Sequence, residues 1–125
     1  MHIRKKQDCH AFDSKTGLIV YELAGRSTGG ALQHSLAHIE ILPGGASLKH
    51  YHPVVEESYY ILKGEAKIEI NGEFQYLKTG QMVVVPPKLT HQIFNESDTL
   101  LQFLAVCSPP WTTDCSVYEK ANSTY

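Results

Sequence analysis

The sequence has no long hydrophobic run: the longest is Phe103-Leu104-Ala105-Val106-Cys107, and Met82-Val83-Val84-Val85 is shorter. A helix that crosses a bilayer needs roughly 20 apolar residues, so no membrane partner is expected. An excess of positive charge is also missing. Lys+Arg number 11 against 13 Asp+Glu, for a net charge of -2, which argues against nucleic acid or an anionic surface as a partner. Cysteine is scarce, with three residues at irregular spacing, Cys9, Cys107 and Cys115. An odd, unpatterned set points to free thiols in a reducing compartment, and a cytoplasmic location is expected. The basic segment Met1 to His10 is not followed by an apolar stretch, so it does not read as a secretory signal. Asn95-Glu96-Ser97 and Asn122-Ser123-Thr124 then read as chance matches to the glycosylation sequon. Repeats, low-complexity stretches and internal linkers are absent. Helical patterning is nearly absent too. Only Gln33 to His38 could pass for a short helix, and it lacks the length.

What remains is β-structure. The 125 residues, 42% of them hydrophobic, suit one domain spanning 1–125. Short β-prone segments are cut by Gly, Pro and Asn at spacings of about 8–12 residues, the pattern of a sandwich or barrel. Leu18 to Tyr21 is the first strong strand. In Leu36 to Leu42, Ala37, Ile39 and Ile41 share one face and His38 and Glu40 the other. Ser58 to Leu62 is next. Ala66 to Ile70 and Glu73 to Tyr76 flank Asn71-Gly72, a pair that accepts positive φ at both turn positions and so closes a tight hairpin. Ile68 and Ile70 would face the core, with Lys67 and Glu69 in water. Met82 to Val85, His91 to Asn95 and Leu100 to Cys107 bring the count to about eight or nine strands. The barrel is expected over about 17–107, with 108–125 as a tail held by Trp111.

His50-Tyr51-His52 carries the chemistry. Residues two apart in a strand point the same way, so both imidazoles face one side. Glu57 follows after a turn through Pro53, and His91 opens a later strand. Three imidazoles and a carboxylate suit one divalent transition metal ion (Fe, Mn, Zn, Ni, Co or Cu) better than Ca or Mg. Such a set leaves coordination positions open for a ligand. A closed structural site, by contrast, is usually rich in thiolate.

These residues resemble the two motifs of the cupin superfamily. The first runs Gly, five residues, His-x-His, three or four residues, Glu, six residues, Gly; here it is Gly44, His50-Tyr51-His52, Glu57 and Gly64. The second runs Gly, five residues, Pro-x-Gly, two residues, His, three residues, Asn; here it is Gly80, Pro86-Pro87-Lys88, His91 and Asn95. Lys88 stands where the motif has glycine, which puts the local turn in question but not a ligand. The resemblance covers about Gly17 to Val106. It implies an all-β, antiparallel jelly-roll-like barrel (a double-stranded β-helix), a mononuclear metal site at His50, His52, Glu57 and His91, and a homodimer. Fold does not fix the reaction. The expected function is metal-dependent enzymology on a small polar metabolite, either dioxygenase-like or of the isomerase, cyclase or lyase type. The alternative is a binding module that holds a small ligand without turnover.

Tyr59 shares strand parity with Glu57, and both are candidate proton-moving residues; Tyr59 could equally be packing under the metal. Tyr60 is expected in the core or an interface. His38 and Glu40 read as solvated, Gln102 as part of an exposed edge, Glu56 and Lys88 as solvated charges at the rim, and Cys107 as a small buried thiol. His2, His10 and His34 carry no expected role.

Overall fold

Alternation of apolar and polar residues builds strands in the structure, a computed structural model that describes residues 1–119. The sequon at Asn122 lies outside the described residues. Among them are a single 3-10 turn, Lys6–Asp8, and eleven strands: β1 Ala11–Asp13, β2 Leu18–Ala24, β3 Ser35–Ile41, β4 His50–Tyr51, β5 Glu56–Lys63, β6 Glu65–Ile70, β7 Glu73–Lys78, β8 Met82–Val85, β9 His91–Phe94, β10 Leu101–Ser108 and β11 Val117–Tyr118. They form two antiparallel sheets, ordered β1-β2-β3-β10-β5-β8 and β11-β4-β9-β6-β7. The pairing starts earlier than expected, at Ala11, and includes Val117–Tyr118 from the segment expected as a tail. Gln33 to His38 is no helix: Ser35 onwards is strand β3, because the alternation of Ala37, Ile39 and Ile41 suits a sheet facing a core.

The core lies between the sheets. Ile41, Ile61, Ala66, Leu101 and Phe103 are fully buried within it. β10 shows the simplest parity: Leu101, Phe103, Ala105 and Cys107 point in, and the residues between them point out. β5 does the same with Glu57, Tyr59 and Ile61, which leaves Glu56 exposed. Strand parity therefore decides between the two adjacent glutamates.

Two local features follow the residues closely. Asn71 and Gly72 have φ of 50° and 87°, and Ile70 pairs with Glu73 across them, the two-residue hairpin expected of Asn-Gly. Lys88, at the glycine position of the second motif, adopts φ of 73°. The turn is kept at some conformational cost, and the Lys88 N–H donates to the His52 carbonyl at 2.7 Å. This bond ties the two motif loops together.

The outer faces are less wet than the alternation suggested. Glu40 is buried because Lys6 folds over it at 2.7 Å, with its ammonium 4.7 Å from the centre of the Tyr21 ring. His38 meets Gln102 at 3.2 Å on the same face. Gln102 is thus on a central strand, facing outward, and is neither at an exposed edge nor in the lumen. Glu69 is buried against Lys49 at 2.7 Å. Tyr60 is in no core; it faces outward, 45% exposed.

Asn95 shows why the second motif ends in that residue. Its amide nitrogen donates to the Ile41 carbonyl at 2.8 Å and the Thr99 carbonyl at 2.7 Å, and its oxygen accepts from the Ser97 N–H and hydroxyl. All its bonding capacity is used at 1% exposure. Replacing it strands buried carbonyls. Asn95→Ala is expected to lower stability by about 3 kcal/mol in urea unfolding, with all four candidate metal ligands retained.

Candidate metal centre

Strand pairing assembles the centre. His50 on β4 lies directly opposite His91 on β9, and their ring centres are 4.3 Å apart. His52 follows two residues after His50, with its ring 4.9 Å from that of His50. Glu57 arrives from β5 in the other sheet. One ligand atom from each of His50, His52, Glu57 and His91 lies within 4.8 Å of all the others. His91 is wholly buried, His52 is 2% exposed and Glu57 6%.

The imidazoles are held in the tautomer a metal needs. His50 Nδ1 lies 2.7 Å from the Leu48 carbonyl, His91 Nδ1 3.0 Å from the Leu89 carbonyl, and His52 Nδ1 3.2 Å from the Cys115 carbonyl. A carbonyl only accepts, so each Nδ1 carries a proton and each Nε2 is left as the atom that faces an ion. The Nε2 atoms of His52 and His91 have no hydrogen-bond partner. Both sit beside Glu57 Oε1, at 3.5 and 3.3 Å. Buried nitrogens left bare are costly, and a divalent cation would satisfy both together with the carboxylate. The residues present fit such an ion.

Glu57 is itself positioned at both oxygens. Tyr59 Oη donates to Oε1 at 2.8 Å, and the Cys107 thiol donates to Oε2 at 3.1 Å. Burial works to raise the Glu57 pKa, but His52 and His91 outweigh it and hold the carboxyl well below the usual range. For Tyr59 and Cys107, burial first and the Glu57 charge second push both pKa values well above normal. Both therefore stay protonated donors. Burial, then the neighbouring His91, pushes His50 down to about 4. Burial also disfavours the charged form of His52, but Cys115 and Glu57 beside it prevail and push it up to about 10.

The centre opens onto a cavity of about 340 Å³, at the small end of the roughly 300–1,000 Å³ typical of ligand sites. Val20, Ile39, Phe103, Ala105 and Trp111 give it a largely hydrocarbon wall. Trp111 thus lines the cavity as well as tying the C-terminal segment to the barrel, through its N–H bond to Ser35 Oγ at 2.9 Å. Lys88 is exposed and off the cavity wall. Sequence reasoning missed the contribution of the C-terminal segment. Ser116 Oγ lies 3.1 Å from His52 Nδ1, and the Tyr118 ring centre lies 5.5 Å from that of His50. No spacing signal marked them, because β11 reaches the site only by pairing with β4.

With fold and site described, the class of protein is settled. The family described as "Cupin domain" matches residues 37–107, more than half of the chain, and the chain belongs to that family. An uncharacterized protein of Methanocaldococcus jannaschii is 32% identical over 99 residues, 79% of either chain. Among solved structures, oxalate decarboxylase from Lactobacillus farciminis, in its formate complex, is 26% identical with a TM-score of 0.79. The match covers 90% of this chain but only 34% of that one. Pac13, a nucleoside dehydratase from Streptomyces, has a TM-score of 0.81 at 12% identity, over 98% of this chain and 94% of its own; it supports the fold alone.

A metal ligand must be neutral, yet Cys115 and Glu57 push the His52 pKa up to about 10 and favour its protonated form. Loading near neutral pH must therefore expel that proton. Titration with cobalt(II) at pH 7 is expected to release about one proton per ion, and the apparent affinity should rise about tenfold per pH unit between about pH 7 and pH 9. Calorimetry in buffers of different ionisation enthalpy measures the release; none at all would mean that His52 is already neutral.

Proposed function

We propose that this cupin is a mononuclear metal-dependent enzyme catalysing a proton-transfer reaction of the isomerase, cyclase or lyase type on a small metabolite. His50, His52, Glu57 and His91 hold the ion. The bare Nε2 atoms of His52 and His91, beside Glu57 of the cavity wall, carry this reading. Similarity to a decarboxylase on the same barrel supports it. The substrate has an oxygen-bearing end and an apolar body, since the wall is mostly hydrocarbon.

When bound, the ion supplies Lewis acidity, polarising a carbonyl or hydroxyl of the substrate. The chain supplies the rest. Tyr59 lines the cavity and directs its O–H at Glu57 Oε1; with the Glu57 charge offset by an ion, that proton would become available to a substrate atom and recoverable from it. Cys107 fixes the other Glu57 oxygen, so the carboxylate does not turn when the tyrosine proton moves. The apolar wall keeps water from competing for that proton.

The four-residue site gives a direct test. Zinc-, manganese- or iron-loaded protein should turn over members of an isomerase, cyclase and lyase substrate panel, and chelation should abolish this. Tyr59→Phe should retain a full complement of metal while kcat falls about 100-fold. Substrate-stimulated oxygen uptake with Fe(II) would replace the reading with a dioxygenase. A copurified ligand left unchanged on incubation would replace it with a binding module.

We further infer that the protein is a homodimer. Tyr60, Leu62, Met82, Val84 and Val106 are exposed on the outer face of β5, β8 and β10, and Tyr60 pairs with Met82 across the strands. β8 ends its sheet, and an apolar free edge invites pairing with a copy of itself about a two-fold axis. No helix among the described residues is long and apolar enough to cross a membrane. The three cysteines are free, which supports a cytoplasmic setting. Sedimentation at micromolar concentration should show a dimer, and Val84→Glu should convert it to monomer; a wild-type monomer would remove the inference.

A further inference from the structure

Four glutamates are buried in this protein: Glu22, Glu40, Glu57 and Glu69. Three have evident partners. Glu40 meets Lys6, Glu69 meets Lys49, and Glu57 is held by Tyr59 and Cys107. Glu22 differs. It is 6% exposed, and its Oε1 has no hydrogen-bond partner among the described residues. The nearby Arg4 does not pair with it, because that guanidinium is committed to the Leu23 and Thr28 carbonyls. A buried carboxyl oxygen left without a partner is costly and calls for a reason.

Its position suggests one. Leu18, Val20 and Glu22 share strand parity on β2, and all three line the cavity. Glu22 pairs with Ala37, Ala37 with Ala105, and Ala105 with Tyr59. It therefore sits three strands from the metal-side strand β5, roughly 14 Å along the curved sheet at about 4.8 Å per strand. Between them the wall is apolar. Gly25 makes room for the group: a Cβ there would come within 1.8 Å of Glu22 Oε1. Burial raises the Glu22 pKa against the opposing influence of Thr28 and Arg4, so the carboxyl retains its proton more readily than a solvated one.

We propose that Glu22 is a second, metal-independent binding point in the cavity that recognises a hydroxyl or carbonyl group at the far end of the ligand. The ligand class is then specific. One end carries an oxygen donor for the ion, the middle is hydrocarbon, and the other end is a neutral hydrogen-bonding group that Glu22 meets as donor or acceptor. Glu22 is a specificity residue in contact with ligand. This assignment rests on the cavity being the ligand site proposed above, but it does not require that the ion catalyse.

Matched probes test it. Alkanoates and ω-hydroxyalkanoates of about five to eight carbons fit the space and differ only at the far end. Binding to cobalt-loaded protein is read from the visible spectrum of the ion. In the wild type the terminal hydroxyl should tighten binding about tenfold. In Glu22→Ala that preference should shrink to within about twofold, while the plain alkanoates bind as before. A preference that survives Glu22→Ala, or is absent from the wild type, overturns the proposal while the metal reading stands. If cobalt does not bind, the metal reading fails. The carbon-13 resonance of the Glu22 carboxyl in the metal-free protein then decides the matter: a shift with hydroxyalkanoate alone upholds the proposal, and no shift overturns it. Glu22→Leu removes the orphaned group and should raise the melting temperature; a fall would show that the carboxyl serves folding, and would overturn the proposal.

Discussion

The constraint on which the rest depends is the orientation of three imidazoles by backbone carbonyls. Leu48, Leu89 and Cys115 each accept a hydrogen bond from an Nδ1–H, so the three Nε2 atoms must face inward. Without that, His52 and His91 would be ordinary buried histidines free to bond elsewhere. With it, their Nε2 atoms are buried without a partner, next to a carboxylate that stays ionised. Such a cluster is unfavourable alone and becomes favourable around a cation. The carbonyls belong to loops at the strand ends, so the barrel fixes the site through its backbone before any side chain acts.

The same logic extends outward from Glu57. Tyr59 and Cys107 occupy its two oxygens from neighbouring inward positions, one on the same strand and one on the paired strand β10. Neither group ionises readily while the Glu57 charge is unopposed, so the carboxylate is held by donors alone and keeps its charge for whatever lies at the centre. Strand parity, which places every second residue in the lumen, delivers ligand, donor and core residue in a single sequence: Glu57, Tyr59, Ile61.

Much of this was legible because it is periodic or motif-bound. The hairpin at Asn71-Gly72 and the inward face of Ala37, Ile39 and Ile41 follow from rules two to four residues in range, and the set His50, His52, Glu57 and His91 from the resemblance to the two family motifs. Lys88 shows that the motif describes a backbone shape and not an identity, since lysine takes the positive φ that glycine would take more cheaply. What stayed hidden was long-range. Glu40 and Glu69 read as wet because the cations that bury with them, Lys6 and Lys49, lie far away in sequence. Ser116 and Tyr118 carry no pattern at all. Glu22 sits in a strand whose alternation marks it as inward-facing, but an inward carboxylate conflicts with core formation, and nothing local explains the conflict.

The C-terminal segment joins these threads. β11 pairs with β4, the strand that carries His50, while the residues just before it supply the Cys115 carbonyl and Ser116 hydroxyl to His52 Nδ1. Trp111 forms part of the cavity wall from the same segment. This segment therefore both lines the cavity and holds a proton on Nδ1 of a buried imidazole. Closing the cavity and preparing the ligand are consequences of one set of backbone contacts, so residues 108–118 belong to the site as much as the two histidine strands do. A chain read only for its motifs has its last candidate ligand at His91; folded, it also brings Cys115, Ser116 and Tyr118 against the same imidazoles.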